Sequence, residues 1–413
     1  MKRLKIAFFH FGFFYEGGGE RLVLKQMAGL EKRGHQTVCF TPILQKGNCY
    51  PDWINQAKIK ILVPQWLNRS GNGLVIQMLM ASWLIIFQFW RFFQFDVFVG
   101  VAQPGAWMAF CLAKILGKPY LVWLNQPTRF LHPRRVDREV GVRVSDRVGI
   151  VIKFLRYLKP VISFFDKKSI QSAPFLMANS QQTASLVEKF YHRKAIVNYP
   201  GAEFNFPQNK FRKKDYWRRL KGGLIIKRKK VARPFLLITN RHFPQKKFEY
   251  AIKVMPFLNQ QTAGLNLVIT GRQSYYTKFL KKLVYRLGLE KRVIFTGSVG
   301  EKDLRRLYQQ AAVYLYTAPE EDFGMGIVEA MSAGTPVVAW DEGGPQETVV
   351  NGWTGYLVQP YNLEKFAQKI RRILIRPALM KKMGLQGRER AKQFSQQKHL
   401  DILETNLTAV CQG

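Results

Sequence analysis

The sequence predicts an α/β protein whose two similar halves face each other across a cleft. Three observations carry this. Short apolar runs alternate with stretches of helical periodicity, the pattern of a parallel sheet covered by helices. At 413 residues the chain is too long for one ordinary core and suits two domains of about 200 residues each. Between Tyr199 and Pro234 the composition shifts sharply, after which the alternation restarts.

In order, Leu4–His10 reads as a buried strand and Gly17-Gly18-Gly19 as a loop. Glu20–Arg33 reads as a helix with apolar residues at helical spacing, ended by Gly34. The basic start before an apolar run mimics a signal peptide, but no small-residue cleavage site follows. Strands are expected at His35–Thr41, Ile59–Val63, Phe95–Val101, Pro119–Leu124 and Phe175–Ala178, the last before a helix that Ser180 can cap. Lysine and arginine dominate Lys210–Lys230, with Tyr216-Trp217 among them. The expected division is a first domain 1–203, a basic linker or insertion 204–233, and a second domain 234–393. In the second half, strands Phe235–Asn240, Leu265–Thr270, Arg292–Phe295, Val313–Thr317 and Pro336–Ala339 alternate with helices Lys247–Leu258, Tyr275–Leu287 and Lys302–Ala311. A further helix opens near Gly326. No fixed-period repeat marks a solenoid.

Lysine and arginine number 65 against 27 acidic residues, a formal charge of +38, which implies an anionic partner: acidic lipid, nucleic acid or a phosphorylated substrate. Cys39, Cys49, Cys111 and Cys411 are scattered, with no CxxC pair and no ligand spacing with the six histidines. A reducing compartment and a cytoplasmic protein are expected.

The most informative segment is Glu321-Asp322-Phe323-Gly324-Met325-Gly326-Ile327-Val328-Glu329, which follows an apolar strand and opens a helix. Its glycines let a ligand approach backbone N–H groups that have no partner within the helix, and a diphosphate suits that positive end. Glu329, one turn in, can accept hydrogen bonds from a ribose diol; Glu321 can grip sugar hydroxyls. Solvated surface acids are the plain alternative for such a pair, and the residues between them decide against it.

This segment, with Ala333-Gly334-Thr335-Pro336-Val337-Val338, Gly343-Gly344-Pro345-Gln346-Glu347 and Thr354-Gly355-Tyr356, resembles the Glu-x7-Glu region of the retaining GT4 glycosyltransferases. The resemblance implies a GT-B fold of two Rossmann-like domains, with the nucleotide-sugar in the second and the acceptor in the first. It implies that C-terminal helices, about 394–413, pack back on the first domain. Gly-Gly-Pro-x-Glu is typical of members using GDP-mannose; UDP-glucose or another donor is the alternative. Arg241 and Lys246, in the turn after a strand, are similar to the family's diphosphate-binding Arg-x4-Lys pair, with Lys247 as a register alternative. Asp-x-Asp is absent from the sequence, so no metal or cofactor is expected beyond the nucleotide-sugar co-substrate. The donor positions so implied are Gly18, Gly19, Phe323, Gly324, Met325, Gly326, Glu329 and Gly271, and the catalytic ones are Glu321, Arg241, Lys246 and Asn125.

Gly17-Gly18-Gly19-Glu20-Arg21 is similar to the family's loop after the first strand. Asn125 stands where many relatives place a histidine that contacts the transferred sugar; it can orient a ligand but carries no proton at pH 7. Arg129 and His132 follow as acceptor-side candidates, and Ala178-Asn179-Ser180 and Tyr199–Glu203 as supports. The uncharged run Leu74–Trp90 is short for a membrane span and reads as a buried or membrane-dipping helix. Val148–Phe165, with Lys153, Arg156 and Lys159 in an apolar pattern, reads as interfacial, and Lys210–Lys230 as a polybasic patch. The expected partners are a nucleotide-sugar, a lipid-linked or polysaccharide acceptor, and an anionic membrane, with the protein peripheral at its inner face. Nucleic acid is disfavoured, since no nucleic-acid-binding motif is present. A catalytically weak lipid- or nucleic-acid-binding scaffold is the reading from another class.

Overall fold

The computed structural model describes residues 3–47, 49–63, 81, 83–140, 157–202, 206, 223–258 and 264–412. They fall into two compact units, one drawn from Met1–Arg134, Gly141–Gly201 and Gln397–Gly413, the other from Arg135–Val140 and Ala202–Gln396.

Unit 1 is built on seven parallel strands: β1 (Lys5–His10), β2 (Gln36–Thr41), β3 (Ile59–Ile61), β4 (Val97–Val101), β5 (Tyr120–Leu124), β6 (Phe175–Ala178) and β7 (Ile196–Val197). Their order, β3-β2-β1-β4-β5-β6-β7, turns around between β1 and β4, which leaves a crevice at the carboxyl ends of those strands. β1 shows why both faces need cover. Ile6 and Phe8 lie in one apolar layer with Leu22, Val23 and Met27 of the helix Gly18–Lys32. Ala7 and Phe9 lie in the other, with Ala106, Ala109 and Leu112 of the helix Ala102–Leu116. Gly34, at φ +93, ends the first helix: its N–H donates to the Glu31 carbonyl and that of His35 to the Leu30 carbonyl, at 3.0 and 3.1 Å. Ser180 Oγ accepts from the Thr183 N–H at 3.0 Å and caps the helix Gln181–Tyr191.

The last helix, Gln396–Val410, completes the first of these layers with Leu400, Leu403 and Leu407. Polar contacts fix its register. Arg33 pairs with Glu404 and Asp401, each at 2.6 Å. His35 Nδ1 accepts from the Leu4 N–H at 3.2 Å, so the ring proton sits on Nε2, 3.0 Å from Glu404. His399 is buried between the Tyr199 carbonyl, 2.8 Å from Nδ1, and Gln26, 3.0 Å from Nε2; burial pushes its pKa down to about 4.

Unit 2 carries six parallel strands: β10 (Phe235–Thr239), β11 (Asn266–Thr270), β12 (Val293–Gly297), β13 (Val313–Tyr316), β14 (Val337–Trp340) and β15 (Gly355–Val358), after an antiparallel hairpin of β8 (Gly223–Ile226) and β9 (Lys229–Ala232). The sheet order is β12-β11-β10-β13-β14-β15, so the turn-around falls between β10 and β13.

Several expectations change. The end of the basic stretch, expected as a linker or insertion, folds as a hairpin: Leu224, Ile226 and Val231 are buried, and Lys227 and Arg228 take φ of +46 and +64 in its turn. The helix expected over Lys247–Leu258 divides into Phe248–Lys253 and a 3-10 turn Met255–Leu258, since Pro256 has no N–H to continue it. Of Leu74–Trp90, residues 74–80 and 82 lie outside the described residues, and Ile86–Phe92 is a 3-10 helix. Residues 148–156 and 203–205, and 207–222 with Tyr216 and Trp217, also lie outside them. Arg135–Val140, expected within the first domain, is a short helix of unit 2: the Val136 N–H donates to Glu320 at 2.9 Å, and Arg135 pairs with Glu342 at 3.0 Å. Among the described residues no helix is long and apolar enough to cross a membrane.

Candidate functional site

In unit 2 the site grows from the carboxyl ends of β10 and β13. After Thr239 the chain runs through Asn240 and Arg241 into the 3-10 turn Pro244–Lys246. Gly271, at φ +135, lets this loop sit down: a Cβ there would fall 1.8 Å from the Asn240 carbonyl oxygen. Its glycine therefore has a packing cause besides the donor contact expected of it. The Arg241 guanidinium lies over the Phe243 ring, 5.4 Å from its centre. His242 is buried, with Nδ1 3.0 Å from Thr277 Oγ1, and burial holds it neutral, its pKa pushed down to about 4. Lys246 Nζ donates to Glu321 Oε2 at 2.5 Å, with both side chains mostly covered. Lys247, at φ +48, is directed elsewhere and pairs with Glu139 at 3.5 Å.

Glu321 is held from three sides. Its carboxylate takes the lysine and a hydrogen bond from Tyr316, whose phenol pKa is raised by burial first and then by Glu321. Its backbone is clamped by the Gly343-Gly344 turn: the Gly344 N–H donates to the Glu321 carbonyl at 2.7 Å. A Cβ on Gly344 would come within 2.4 Å of Phe323 Cα. The two sequence signatures thus meet as one backbone contact.

Gly324, at φ +85, turns the chain into the helix Met325–Ser332. No side chain caps this helix and no acid occupies its first turn. Met325 and Gly326 are half-buried, whereas Phe323 is buried against Phe394, ring centres 5.5 Å apart, and offers the crevice only backbone. Gly326 also has a packing cause, since its missing side chain makes room for Tyr314, whose hydroxyl a Cβ would meet at 2.3 Å. Glu329, 5% exposed, accepts from the Tyr308 hydroxyl at 2.7 Å, and Thr239 Oγ1 lies 2.7 Å from Tyr308 and 2.8 Å from Tyr314. None of Thr239, Tyr308, Tyr314 and Tyr316 was singled out from sequence as a side chain of the site. As strand and helix residues they read as core, and only Thr239 and Tyr316 stand at strand ends.

In unit 1, Gly18 and Gly19 open the first helix, and Asn125 approaches the second of them: a Cβ on Gly19 would lie 3.3 Å from Asn125 Nδ2. Asn125 Oδ1 is buried without a hydrogen-bond partner among the described residues. Arg129 Nε donates to Gln126 at 3.0 Å. His132 stacks on Phe190 at 4.1 Å, and its pKa is lowered by burial and then by Lys167 and Lys159. Beneath this loop the buried Asp166, missed from sequence, accepts from Thr128 Oγ1 at 2.5 Å; burial raises its pKa. Among the described residues no group of three or more His, Cys, Asp or Glu is arranged to hold a metal ion.

Residues 225–390 match the family model of the glycosyl transferases group 1. The chain is 26% identical to the alpha-1,3/1,6-mannosyltransferase ALG2 of Rhizomucor pusillus over 98% of its length and 91% of that protein. It is 32% identical to the GDP-mannose-dependent alpha-(1-6)-phosphatidylinositol monomannoside mannosyltransferase of Mycobacterium tuberculosis, over 38% of this chain and 42% of that one. In fold it is similar to Anabaena Alr3699/HepE, solved in complex with UDP-glucose, with a TM-score of 0.72 at 17% identity over 98% of this chain and 100% of that one. With its two doubly wound units and a match to the group 1 glycosyl transferases in the second, the chain is a glycosyltransferase with the GT-B fold, similar over nearly its whole length to an ALG2 mannosyltransferase.

Proposed function

We propose that this enzyme transfers mannose from GDP-mannose, with retention and without a metal, onto a lipid-linked glycan or polysaccharide at an anionic membrane surface. One observation carries the reading: an uncapped helix start at Met325, flanked by the Lys246–Glu321 pair on one side and the buried Glu329 on the other. Breaking the bond between the sugar C1 and the β-phosphate oxygen builds negative charge on the departing diphosphate. Amides of Gly324–Gly326, Lys246 and Arg241 are the groups that stabilise that charge. The departing phosphate oxygen takes the acceptor's proton, so Asn125 has only to orient the sugar. Glu321 holds the sugar hydroxyls and Glu329 the ribose. The names of the mannosyltransferase relatives support mannose, and the M. tuberculosis relative supports GDP-mannose. A thermal-shift panel of GDP, UDP and ADP tests the donor, because a ligand bound only by the native state raises its melting temperature. The largest shift is expected with GDP; a larger one with UDP overturns the assignment.

The membrane part rests on unit 1. Trp83, Phe87, Trp90 and Phe93 are each more than half exposed, and so is Phe164 of the helix Lys159–Gln171. The two segments meet where Trp83 lies 6.4 Å from Phe165, and Lys159, Lys167 and Lys168 are exposed on the same helix. Aromatic rings beside lysines fit an anionic lipid interface. The protein should sediment with anionic but not neutral vesicles; tight RNA binding without vesicle binding overturns this reading.

A further inference from the structure

We infer that Tyr314, Thr239 and Tyr308 form a one-way hydrogen-bond chain that positions Glu329 for the nucleotide ribose, an inference that rests on the role proposed above for Glu329. Counting protons sets its direction. A phenol or alcohol has one proton to give. Tyr308 gives its own to Glu329 Oε2 at 2.7 Å, so at 2.7 Å from Thr239 Oγ1 it can only accept. The Thr239 proton is thereby committed to Tyr308, and Thr239 Oγ1 in turn accepts from the Tyr314 hydroxyl at 2.8 Å. All three protons point toward the carboxylate, the arrangement an ionised acid imposes on its donors.

The chain joins elements far apart in sequence. Tyr308 lies on the helix Glu301–Gln310, Tyr314 on β13 and Thr239 at the end of β10. The Tyr314 hydroxyl that starts it also lies beneath Gly326, at the beginning of the helix that carries Glu329. The carboxylate orientation is therefore tied to β13 and to the end of β10, the two strands that border the crevice. Burial and the nearby Glu329 keep both phenols protonated: the Tyr308 and Tyr314 pKa values are raised, by burial most of all. Tyr308 is a positioning residue, acting through Glu329.

The test compares GDP with its 2′,3′-dideoxy analogue as competitors of GDP-mannose. Should the panel select another base, that base's diphosphate and its dideoxy analogue take their place. The wild type should favour the diol by about 10-fold or more, as a hydrogen bond to a charged group gives. Tyr308→Phe should raise KM for GDP-mannose about 10-fold with kcat little changed, and bring the diol preference close to one. Thr239→Val should cause a smaller loss of the same kind, and Thr239→Ser should restore the preference. These two variants keep the test open should Tyr308→Phe not fold. Full diol preference in folded Tyr308→Phe, or in Thr239→Val, overturns the inference while leaving the ribose role of Glu329 standing. A wild type that does not distinguish the two nucleotides overturns that role, and the inference with it.

Discussion

Both units set two strand ends side by side at the turn-around of a parallel sheet, β1 with β4 and β10 with β13, and fill the place differently. In unit 1 the end of β1 is His10, buried and held neutral with its pKa pushed down to about 3, with Phe11 and Phe13 4.5 and 5.0 Å from its ring. The first helix there has its own acid in the first turn, Glu20, folded back so that a Cβ on Gly17 would fall 2.2 Å from its carboxylate. In unit 2 the end of β10 is Thr239, the helix beyond β13 starts without an acid or a cap, and Lys246, Glu321 and Glu329 surround it. One topology yields two crevices; the side chains at the strand ends decide that an anion suits the second.

The contrast can be broken most forcefully through activity. Lys246→Ala should lower turnover at least about 100-fold, as loss of a preorganised charge contact does, and Glu329→Ala should lower kcat/KM by a similar factor, whereas Asn125→Ala in unit 1 should cost about 10-fold. Near-normal kcat/KM of either unit 2 variant in a mannose-transfer assay would erase the distinction. What the crevices share can be tested by stability. Gly105→Ala would place a Cβ 2.2 Å from the Phe9 carbonyl oxygen and Gly344→Ala one 2.4 Å from Phe323 Cα. Neither backbone can yield cheaply, so each should lower unfolding free energy by about 2 kcal/mol or more in urea titrations.

Acid sharpens the comparison further, because both units bury neutral histidines: beside His10 in unit 1 stand His399 of unit 1 and His242 of unit 2, both lowered from 6.5 to about 4. Their folded pKa values lie below the unfolded ones, so stability is full above pH 6.5 and is lost as pH falls toward 4. Each contributes about 3 kcal/mol to that loss at most. Denaturation at pH 7 and pH 5 should show a steeper decline in the wild type than in His399→Gln, and equal slopes would contradict the buried-neutral assignment. The smallest effect belongs to Gly19→Ala. Its Cβ would meet only Asn125 Nδ2, at 3.3 Å, so stability should stay within about 0.5 kcal/mol.

Much of this was legible in the residues. Apolar alternation located the strands, Gly34 and Ser180 marked helix ends, and the spacing of Glu321 and Glu329 drew attention to the helix start. What escaped has physical causes. Lys246 and Lys247 are adjacent at the end of a single 3-10 turn, too short for any periodicity to tell which reaches Glu321. The hairpin of β8 and β9 turns on Lys227-Arg228, which lacks the Asn-Gly signature of such turns. Only Val136 of Arg135–Val140 is buried, too little apolar surface to announce an element. The tyrosine hydroxyls find their partners only in three dimensions, and a sequence read by apolar pattern sees rings rather than oxygens.

The last helix of unit 1 also orders events in time. Its leucines cover a layer begun by β1 and the first helix, and Gly29 gives Leu400 the room to approach. On a ribosome, all of unit 2 is synthesised between the opening and closing parts of unit 1. The residues made first must therefore wait, with Leu22, Val23 and Met27 only partly covered, until those made last emerge. Trimming the chain at Gln396 would leave that waiting state as the end product, exposed to aggregation and proteolysis, even though the crevice of unit 2 would be untouched.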